Sequence, residues 1–332
     1  MHLKLASRLL LAAALVALAP ALAVADGSPA NDPTAPMPAH IRAAFDAIPP
    51  DPAPPELTRN SHYWVSNEEG HWIVRDTIAN IGGIYIGVGA DQNYVMAGWA
   101  RSSFVIMLDF DQQIANLHAI YGVIFKQAAT PEEFLSYWHN DRAGDVDALL
   151  DAAFPGERAE TLKRTARTAL SLCGARLRRL AREYTRDGVT AFVNDQTEYD
   201  YIRMLWRNNR VFAIRGDLTA ASAMTGIARV ATEHNMPVRF IYLSNAEQYY
   251  TYTPQTVLNI TSMPFDDQSW ILHTRQYGTW SRVIEGNYHY GLQRGADYAA
   301  WLASGRVTDF IAMARRTRRD LGNGLSMFEG TP

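Results

Sequence analysis

The sequence contains a single cysteine, Cys173, among 332 residues. One cysteine cannot form a disulfide within the chain, so the stability of the fold has to come from a buried core. A chain of this length with 48% hydrophobic residues can bury such a core. One large domain, or one domain that carries an insertion, are both consistent with this length.

The sequence also lacks an excess of positive charge and lacks a long apolar segment in its body. Its 31 lysines and arginines are outnumbered by 34 acidic residues, which leaves a net charge of −3. This charge gives no electrostatic reason to expect a nucleic-acid partner. Beyond residue 25, no run approaches the roughly 20 apolar residues that a membrane-spanning helix needs. We therefore expect a mature chain without a membrane span.

The short motifs of several enzyme classes are missing. There is no Gly-x-Ser-x-Gly elbow for a serine nucleophile, and the nine histidines form no His-Glu-x-x-His pattern. Asp109-Phe110-Asp111, with Asp266-Asp267 as a second acidic pair, suggests a metal site of the haloacid dehalogenase type. That family has Thr or Val where this chain has Gln113, so we predict no metal site.

The first 25 residues have the features of a secretory signal peptide. Lys4 and Arg8 precede an apolar run from Leu9 to Ala19, and Ala23-Val24-Ala25 is a cleavage site of the small-x-small type. The apolar run is too short for a transmembrane helix, which leaves an uncleaved anchor as the less favoured alternative. We predict cleavage near Ala25 and export to the periplasm or the medium.

Proline is concentrated in residues 26–58. This composition predicts an extended tether, with a short helix between Ala39 and Ala47, that joins the cleavage site to a folded domain over residues 59–332.

The stretch from Gly82 to Tyr94 predicts a buried strand, Ile84 to Val88, followed by a glycine turn and a helix. Twenty positions after Gly89, a second apolar run ends at Asp109. Strand, glycine turn, helix, strand and acid is the order in which nucleotide-binding α/β sheets begin. The glycines would let the backbone approach a ligand, and Asp109 would accept hydrogen bonds from ribose hydroxyls. The third glycine of the dinucleotide fingerprint is replaced by Gln92, so we do not expect a conventional nicotinamide or flavin site.

Helical patterns occupy residues from about 112 to 209, and alternation of strands and helices then resumes with apolar runs at 211–214, 238–243 and 269–274. The prediction is an α/β fold with a doubly wound, mainly parallel sheet and a helical insertion between the second and third strands. Ligands bind such sheets outside the carboxyl ends of the strands, and polar residues follow each predicted strand. Asp217 would approach the amino edge of an adenine ring. Asp109 and Asp217 can alternatively cap the helices that follow them.

Three motifs together resemble an uncharacterised bacterial family that has the fold of class I S-adenosylmethionine-dependent methyltransferases. They are Tyr85-x-Gly87-Val88-Gly89-x-x-Gln92-Asn93, Gly216-Asp217, and Tyr242-x-Ser244-Asn245-x-Glu247-Gln248-Tyr249. The resemblance extends from about Asn60 to His273, with the helical segment as an interruption.

This resemblance implies a methyltransferase-like Rossmann fold and S-adenosylmethionine as a candidate cofactor. The residues expected to bind the cofactor are Gly87, Gly89, Asn93, Asp109 and Asp217. Asn245 and Glu247 would face the substrate, with Glu247 as general base if it is partly desolvated. Alternatively, Asn245 caps a helix and Glu247 pairs with an arginine such as Arg239 or Arg275.

The expected function is that of an exported, methyltransferase-like protein that binds an adenosyl-type or other small ligand, with transferase activity as one outcome. The alternative is a non-catalytic envelope protein that uses the same cleft, or its helical cap, to bind a small molecule or a protein.

Overall fold

The fold is known from a computed structural model that describes residues 28–276, 279–283 and 286–332. The predicted signal peptide, residues 1–25, lies outside the described residues. Eight strands form one sheet: β1 (Ile84–Val88), β2 (Phe104–Asp109), β3 (Val211–Arg215), β4 (Val238–Tyr242), β5 (Trp270–Gln276), β6 (Tyr288–Arg294), β7 (Arg318–Gly322) and β8 (Leu325–Phe328).

The described residues also form twelve α-helices: α1 (Ala39–Asp46), α2 (Arg75–Ile78), α3 (Gln92–Trp99), α4 (Gln112–Gln127), α5 (Pro131–Tyr137), α6 (Ala143–Ala153), α7 (Gly156–Arg186), α8 (Gln196–Arg207), α9 (Ala223–Glu233), α10 (Pro254–Thr261), α11 (Gly295–Ala303) and α12 (Phe310–Thr317). None of these helices combines the length and the hydropathy that a membrane crossing requires.

The strands lie in the order β3-β2-β1-β4-β5-β6-β8-β7. Strands β1 to β5 are parallel to one another, whereas β6 runs antiparallel to β5 and β7 runs antiparallel to β8. The order 3-2-1-4-5 is the beginning of a doubly wound sheet, in which the direction of winding reverses between β1 and β4. The prediction of an α/β fold with a mainly parallel sheet is therefore confirmed. The antiparallel edge arises because residues 277–287, which connect β5 to β6, are fewer than the dozen or so that a parallel crossover needs.

Each face of the sheet is covered by helices. Successive side chains of β1 point to opposite faces, so Tyr85 packs into one core while Ile84 and Ile86 pack into the other. Helices α2 to α8 pack over the Tyr85 face, and α1 together with α9 to α12 packs over the opposite face. The segment 112–209 is helical, as predicted, and its five helices belong to the core on the Tyr85 face.

The segment 26–58 is not an extended tether over its described part. Helix α1 lies against the sheet, and the ring of Phe45 stacks on Phe104 with 4.5 Å between the ring centres. Met37, Ile41, Phe45 and Ile48 are all buried. These apolar residues recur at helical spacing, and the short helix predicted between Ala39 and Ala47 is confirmed as the amphipathic helix α1. We refer to residues 28–58 as the N-terminal arm.

One arginine fastens the N-terminal arm to the sheet. Arg210 is completely buried, and its guanidinium donates hydrogen bonds of 2.7 to 3.0 Å to the carbonyls of Pro29, Ala30, Ala35 and Ser103. Four carbonyl acceptors around one guanidinium leave little of its donor capacity unused. The arm is thus an integral part of the fold.

Candidate functional site

A cleft of about 320 Å³ lies outside the carboxyl ends of the parallel strands. Its floor is formed by the residues that end or follow β1 to β4, which include Gly89, Asp109, Asp217 and Asn245. It therefore lies where the winding of the sheet reverses, which is where doubly wound sheets bind ligands. We call it the switch-point cleft. Four of the residues predicted to bind cofactor or substrate meet there.

Gly89 forms the turn that leads from β1 into α3. Its φ angle is +94°, a conformation that favours glycine, and a Cβ at this position would lie 2.8 Å from Nε2 of Gln92. The Gly89 carbonyl accepts a hydrogen bond of 2.9 Å from Nε2 of His118. Burial lowers the pKa of His118 from 6.5 to about 4, so the ring is neutral and its Nδ1 accepts from the Tyr94 hydroxyl. His118 thus fixes the turn from inside the core.

Asn93 and Gly87 have a role different from the predicted contact with a cofactor. The Asn93 side chain is buried, accepts from the Tyr85 hydroxyl and donates to the carbonyls of Val88 and Ala90. A Cβ on Gly87 would lie 2.1 Å from Oδ1 of Asn93. Neither residue lines the cleft. The side chain of Asn93 is hydrogen-bonded within the turn, and the missing side chain of Gly87 provides the space that Asn93 occupies.

Asp109 is the deepest acidic group of the cleft. It is 8% exposed, and its Oδ1 accepts a hydrogen bond of 2.9 Å from the backbone N–H of Asp111. Burial raises the pKa of Asp109 from 3.8 to about 7, and the nearby carboxylate of Asp111 adds to this rise. Near neutral pH this carboxyl can therefore donate or accept a hydrogen bond.

Asp217 lines the cleft and also shapes its own turn. Its Oδ1 accepts from the backbone N–H and the hydroxyl of Thr219, at 2.7 and 2.8 Å. Its own N–H donates to Oδ2 of Asp51, a residue of the N-terminal arm. Asp217 therefore faces the cleft, and it does not cap α9, which was the alternative expected for it, because Asp51 binds the amino end of that helix.

Asp51 occupies the amino end of α9. This side chain is fully buried and accepts hydrogen bonds from the backbone N–H groups of Ser222 and Ala223, as well as from that of Asp217. A helix amino terminus in such a fold is a ready anion site. Here it is already taken by a carboxylate from residue 51, a long-range contact that the local sequence pattern does not reveal.

The cleft is roofed by residues 54–67, and none of the residues 112–209 lines it. The roof therefore comes from the end of the arm and the segment after it, and the helical insertion does not cover the strand ends. Within the roof, Nδ1 of His62 lies 2.6 Å from Oδ2 of Asp111. Tyr63 lines the cleft from the roof and is 40% exposed.

The carboxyl end of the roof is anchored by the next residue, Glu68, which is 1% exposed. Its carboxylate accepts hydrogen bonds from the hydroxyls of Tyr242, Ser244 and Thr274. Tyr242 and Ser244 belong to the same motif as Asn245, so this motif serves partly to hold the roof. Sequence reasoning did not single out Glu68, because its three partners are more than 170 residues away.

Glu247 does not have the free carboxylate that a general base needs. Its Oε2 lies 2.5 Å from Nδ1 of His273, and its Oε1 accepts from the hydroxyls of Tyr252 and Tyr298, each at 2.8 Å. Burial raises the pKa of Glu247, but the charge of His273 and these hydrogen bonds outweigh burial and hold the pKa below its usual value. The predicted base is therefore an ionised structural anchor. Its partner is a histidine instead of the expected arginine.

Asn245 keeps the position that was predicted for it. It lines the cleft at the end of β4, and its side-chain amide makes no hydrogen bond with any residue that the structure describes. It does not cap the short 3₁₀ helix Ala246–Tyr249 that follows. Its amide can therefore offer one acceptor and two donors to a bound molecule.

A second, more open cavity of about 850 Å³ adjoins the cleft, and we call it the outer groove. The two cavities share four lining residues: Thr219, Tyr249, Tyr250 and Gln276. Molecules bound in the two cavities would therefore both contact these four side chains.

In residues 28–276, 279–283 and 286–332, no three His, Cys, Asp or Glu side chains are grouped so that they could hold a metal ion.

Comparison with known proteins adds a family but no activity. No curated protein matches the chain. The model of one family, described as a domain of unknown function, matches residues 63–329. This match covers the sheet, the helical segment and most of the cleft, while the N-terminal arm precedes it. The chain belongs to the DUF7790 family.

Proposed function

We propose that the switch-point cleft binds a nucleoside-type small molecule of the adenosyl class, to which S-adenosylmethionine belongs. One observation carries the proposal: Gly89, Asp109, Asp217 and Asn245 follow or end four different strands, and all line one cleft where the winding reverses. A methyltransferase-like arrangement, implied by the motifs, is supported by the strand order 3-2-1-4-5.

Asp109 is suited to a ribose. Two neighbouring hydroxyls can both donate to one carboxylate, and these hydrogen bonds would offset the cost of keeping an ionised group in a buried position. A ligand of this kind favours the ionised form of Asp109, whose pKa is raised by burial to about 7. Binding should therefore release a proton below pH 7 and should tighten as the pH rises toward 8.

The remaining groups limit the size and the charge of the ligand. The volume of about 320 Å³ lies at the lower end of the roughly 300 to 1,000 Å³ that is usual for ligand pockets, which favours one nucleoside over a dinucleotide. Asp51 already fills the amino end of α9, so a phosphate gains no helix terminus there. Asn245 is free to recognise the edge of a base.

A second candidate is a non-catalytic binding protein that uses the same cleft. The observation in its favour is that Glu247, the predicted general base, is hydrogen-bonded to His273 and to two tyrosines. The carboxyl groups that line the cleft, among the described residues, are those of Asp109 and Asp217. That of Asp217 is hydrogen-bonded to Thr219.

Thermal denaturation with adenosine, S-adenosylmethionine and S-adenosylhomocysteine tests the proposal. A ligand at 100 times its dissociation constant should raise the free energy of unfolding by about 2.7 kcal/mol. Asp109→Asn should abolish this response and the pH dependence of binding. Asp267→Asn, the same chemical change at an exposed site outside the cleft, should leave both intact. The proposal fails if none of the three compounds shifts the wild-type transition, or if the two variants respond alike.

Transfer is separated from binding by following the bound compound. Conversion of S-adenosylmethionine to S-adenosylhomocysteine in the presence of an acceptor supports a transferase. Saturable binding without conversion supports the non-catalytic candidate.

A further inference from the structure

The outer groove is lined mainly by uncharged hydrogen-bonding side chains. Gln248, Thr251, Thr253 and Gln276 contribute amides and hydroxyls to its wall. Gln248 and Thr251 are exposed and line the groove without lining the switch-point cleft. An amide offers both donors and an acceptor, and a hydroxyl offers one donor and two lone pairs. The groove thus presents many neutral hydrogen-bonding groups to one occupant.

The charged groups of the groove are already engaged within the protein. Asp309 accepts from the N–H of Ala312 at the start of α12 and from the hydroxyl of Thr308. The guanidinium of Arg275 lies over the ring of Trp280, 4.4 Å from its centre. The carboxylate of Glu247 is hydrogen-bonded to His273, Tyr252 and Tyr298. A neutral, polar occupant therefore fits the wall better than an ion does.

Tyr249 gives the groove an exposed aromatic surface. It is 57% exposed, whereas Tyr63 and Trp72, the other exposed aromatic residues in the described part of the chain, are each 40% exposed. A pyranose ring carries C–H groups that pack on an aromatic face and hydroxyls around its edge that bond to amides and hydroxyls. An exposed tyrosine beside glutamine and threonine side chains matches both properties of a sugar.

The wall that carries these groups is held in place from beneath. Glu247, immediately before Gln248, is fixed by three hydrogen bonds to buried partners. At the other end, the N–H of Tyr252 donates to the carbonyl of Thr308 at 2.8 Å, and the hydroxyl of Thr253 caps α10. Gln248, Tyr249, Thr251 and Thr253 are exposed, but segment 248–253 is anchored at both ends, and a preorganised wall loses less entropy when it binds.

We propose that the outer groove is a binding site for a neutral carbohydrate, with Tyr249 as its stacking platform and Gln248 and Thr251 as hydrogen-bonding residues. The shared wall of Thr219, Tyr249, Tyr250 and Gln276 would bring a bound sugar next to the ligand of the switch-point cleft. Under the proposed function the sugar would lie on the acceptor side, but the binding site itself does not depend on what the cleft holds.

Saturation-transfer NMR on the purified chain, without any nucleoside, tests the site with cellotriose, maltotriose and chitotriose as probes. We expect at least one trisaccharide to bind, with affinity reduced about tenfold by Gln248→Ala and lost in Tyr249→Ala. Tyr249→Phe should restore binding because it keeps the ring. Gln268→Ala and Leu258→Ala, which truncate exposed side chains outside the groove, should bind as the wild type does.

Three outcomes overturn the proposal. These are absence of binding by all three trisaccharides, binding that survives both Tyr249→Ala and Gln248→Ala, and Tyr249-dependent binding of trialanine in place of the sugars. Asp109→Asn distinguishes the two sites, because it should abolish nucleoside binding and leave sugar binding unchanged. If the sugar binds and the nucleosides do not, only the function proposed for the cleft fails, and the reverse result removes only the carbohydrate site.

Discussion

At the scale of single residues, Asp109 is held where its charge is costly. The carboxyl is 8% exposed, and the carboxylate of Asp111 is its neighbour along the chain. A residue whose ionisation opposes folding, and which faces a cleft, is a feature of functional sites more often than of structural ones. Glu247 shows the opposite arrangement, because its carboxylate is stabilised by every group around it.

Replacement of Asp109 should therefore stabilise the protein in a pH-dependent manner. Between pH 3.8 and about 7 the unfolded chain loses this proton while the folded chain keeps it, so the contribution of Asp109 to stability falls as the pH rises. Each pKa unit corresponds to about 1.4 kcal/mol, and Asp109→Asn should raise the free energy of unfolding by about 2 to 4 kcal/mol at pH 8 and by little at pH 4.

The measurement is urea denaturation of both proteins at pH 4, 6 and 8. Only the difference between the variant and the wild type isolates Asp109, because buried His118, with its pKa of about 4, makes the wild type less stable as the pH falls below 6.5. A difference that does not change with pH contradicts the raised pKa of Asp109.

At the scale of secondary structure, the amino end of α9 depends on a side chain from outside the helix. Ser222, which precedes α9, makes no capping hydrogen bond with its own side chain. Asp51 supplies the acceptor, and it binds the N–H groups of Ser222, Ala223 and Asp217 together. One carboxylate of the arm thus caps a helix and positions a residue of the cleft.

Asp51→Ala should lower the free energy of unfolding by about 2 to 4 kcal/mol, because it removes a cap and leaves buried N–H groups without acceptors. Asp46→Ala, on the same arm, breaks only an exposed ion pair with Arg42 and should cost less than about 1 kcal/mol. Chemical denaturation of both variants gives the comparison. Equal losses would show that Asp51 does not act as a cap.

At the scale of the whole molecule, the N-terminal arm, the roof and the sheet form one unit around the cleft. The arm packs Phe45 against β2 and β3, and residues 54–67 continue from it as the roof. Arg210 holds the beginning of the arm through four carbonyls. Loss of the arm would therefore open the cleft as well as expose a core.

Arg210→Lys tests this dependence, because lysine keeps the charge but cannot reach four carbonyls with a planar group. We expect the free energy of unfolding to fall by about 3 kcal/mol or more. We also expect protease to cleave within residues 28–58 before the rest of the chain unfolds. Arg229→Lys, at an exposed pair with Glu233, is the matched control and should resist protease as the wild type does. Identical cleavage patterns in the two variants would contradict the role of Arg210.

The sequence predicted the parts of the fold that depend on neighbouring residues. The apolar runs that form β1, β2 and β4 are short, and Asp109, Asp217 and Asn245 lie at or within three residues of the end of a strand. Parallel strands bring their carboxyl ends to one edge, so local patterns were enough to bring these residues together. Gly89 could be predicted for the same reason.

The remaining contacts were not predictable because they join residues that are far apart in sequence. Asp51 reaches Ala223 across 172 positions, and Glu68 reaches Thr274 across 206. The partner of Glu247 is His273. This contact was not predicted, because a single histidine in an apolar strand gives no sign of its partner. The helix of the arm was predicted, but its packing on the sheet was not, because Phe45 contacts Phe104 and Phe212, which lie far along the chain.

The hydrogen bonds of Arg210 with the N-terminal arm also affect how the chain folds during synthesis. Pro29 and Arg210 are 181 positions apart, so the guanidinium that binds the carbonyls of Pro29 and Ala30 is made long after them. At 5 to 20 residues per second this interval lasts roughly 10 to 35 s. Contacts of such high sequence separation slow folding, and the apolar side of α1 stays partly exposed until they form. We expect nascent chains to be the aggregation-prone species and a holding chaperone to improve the yield.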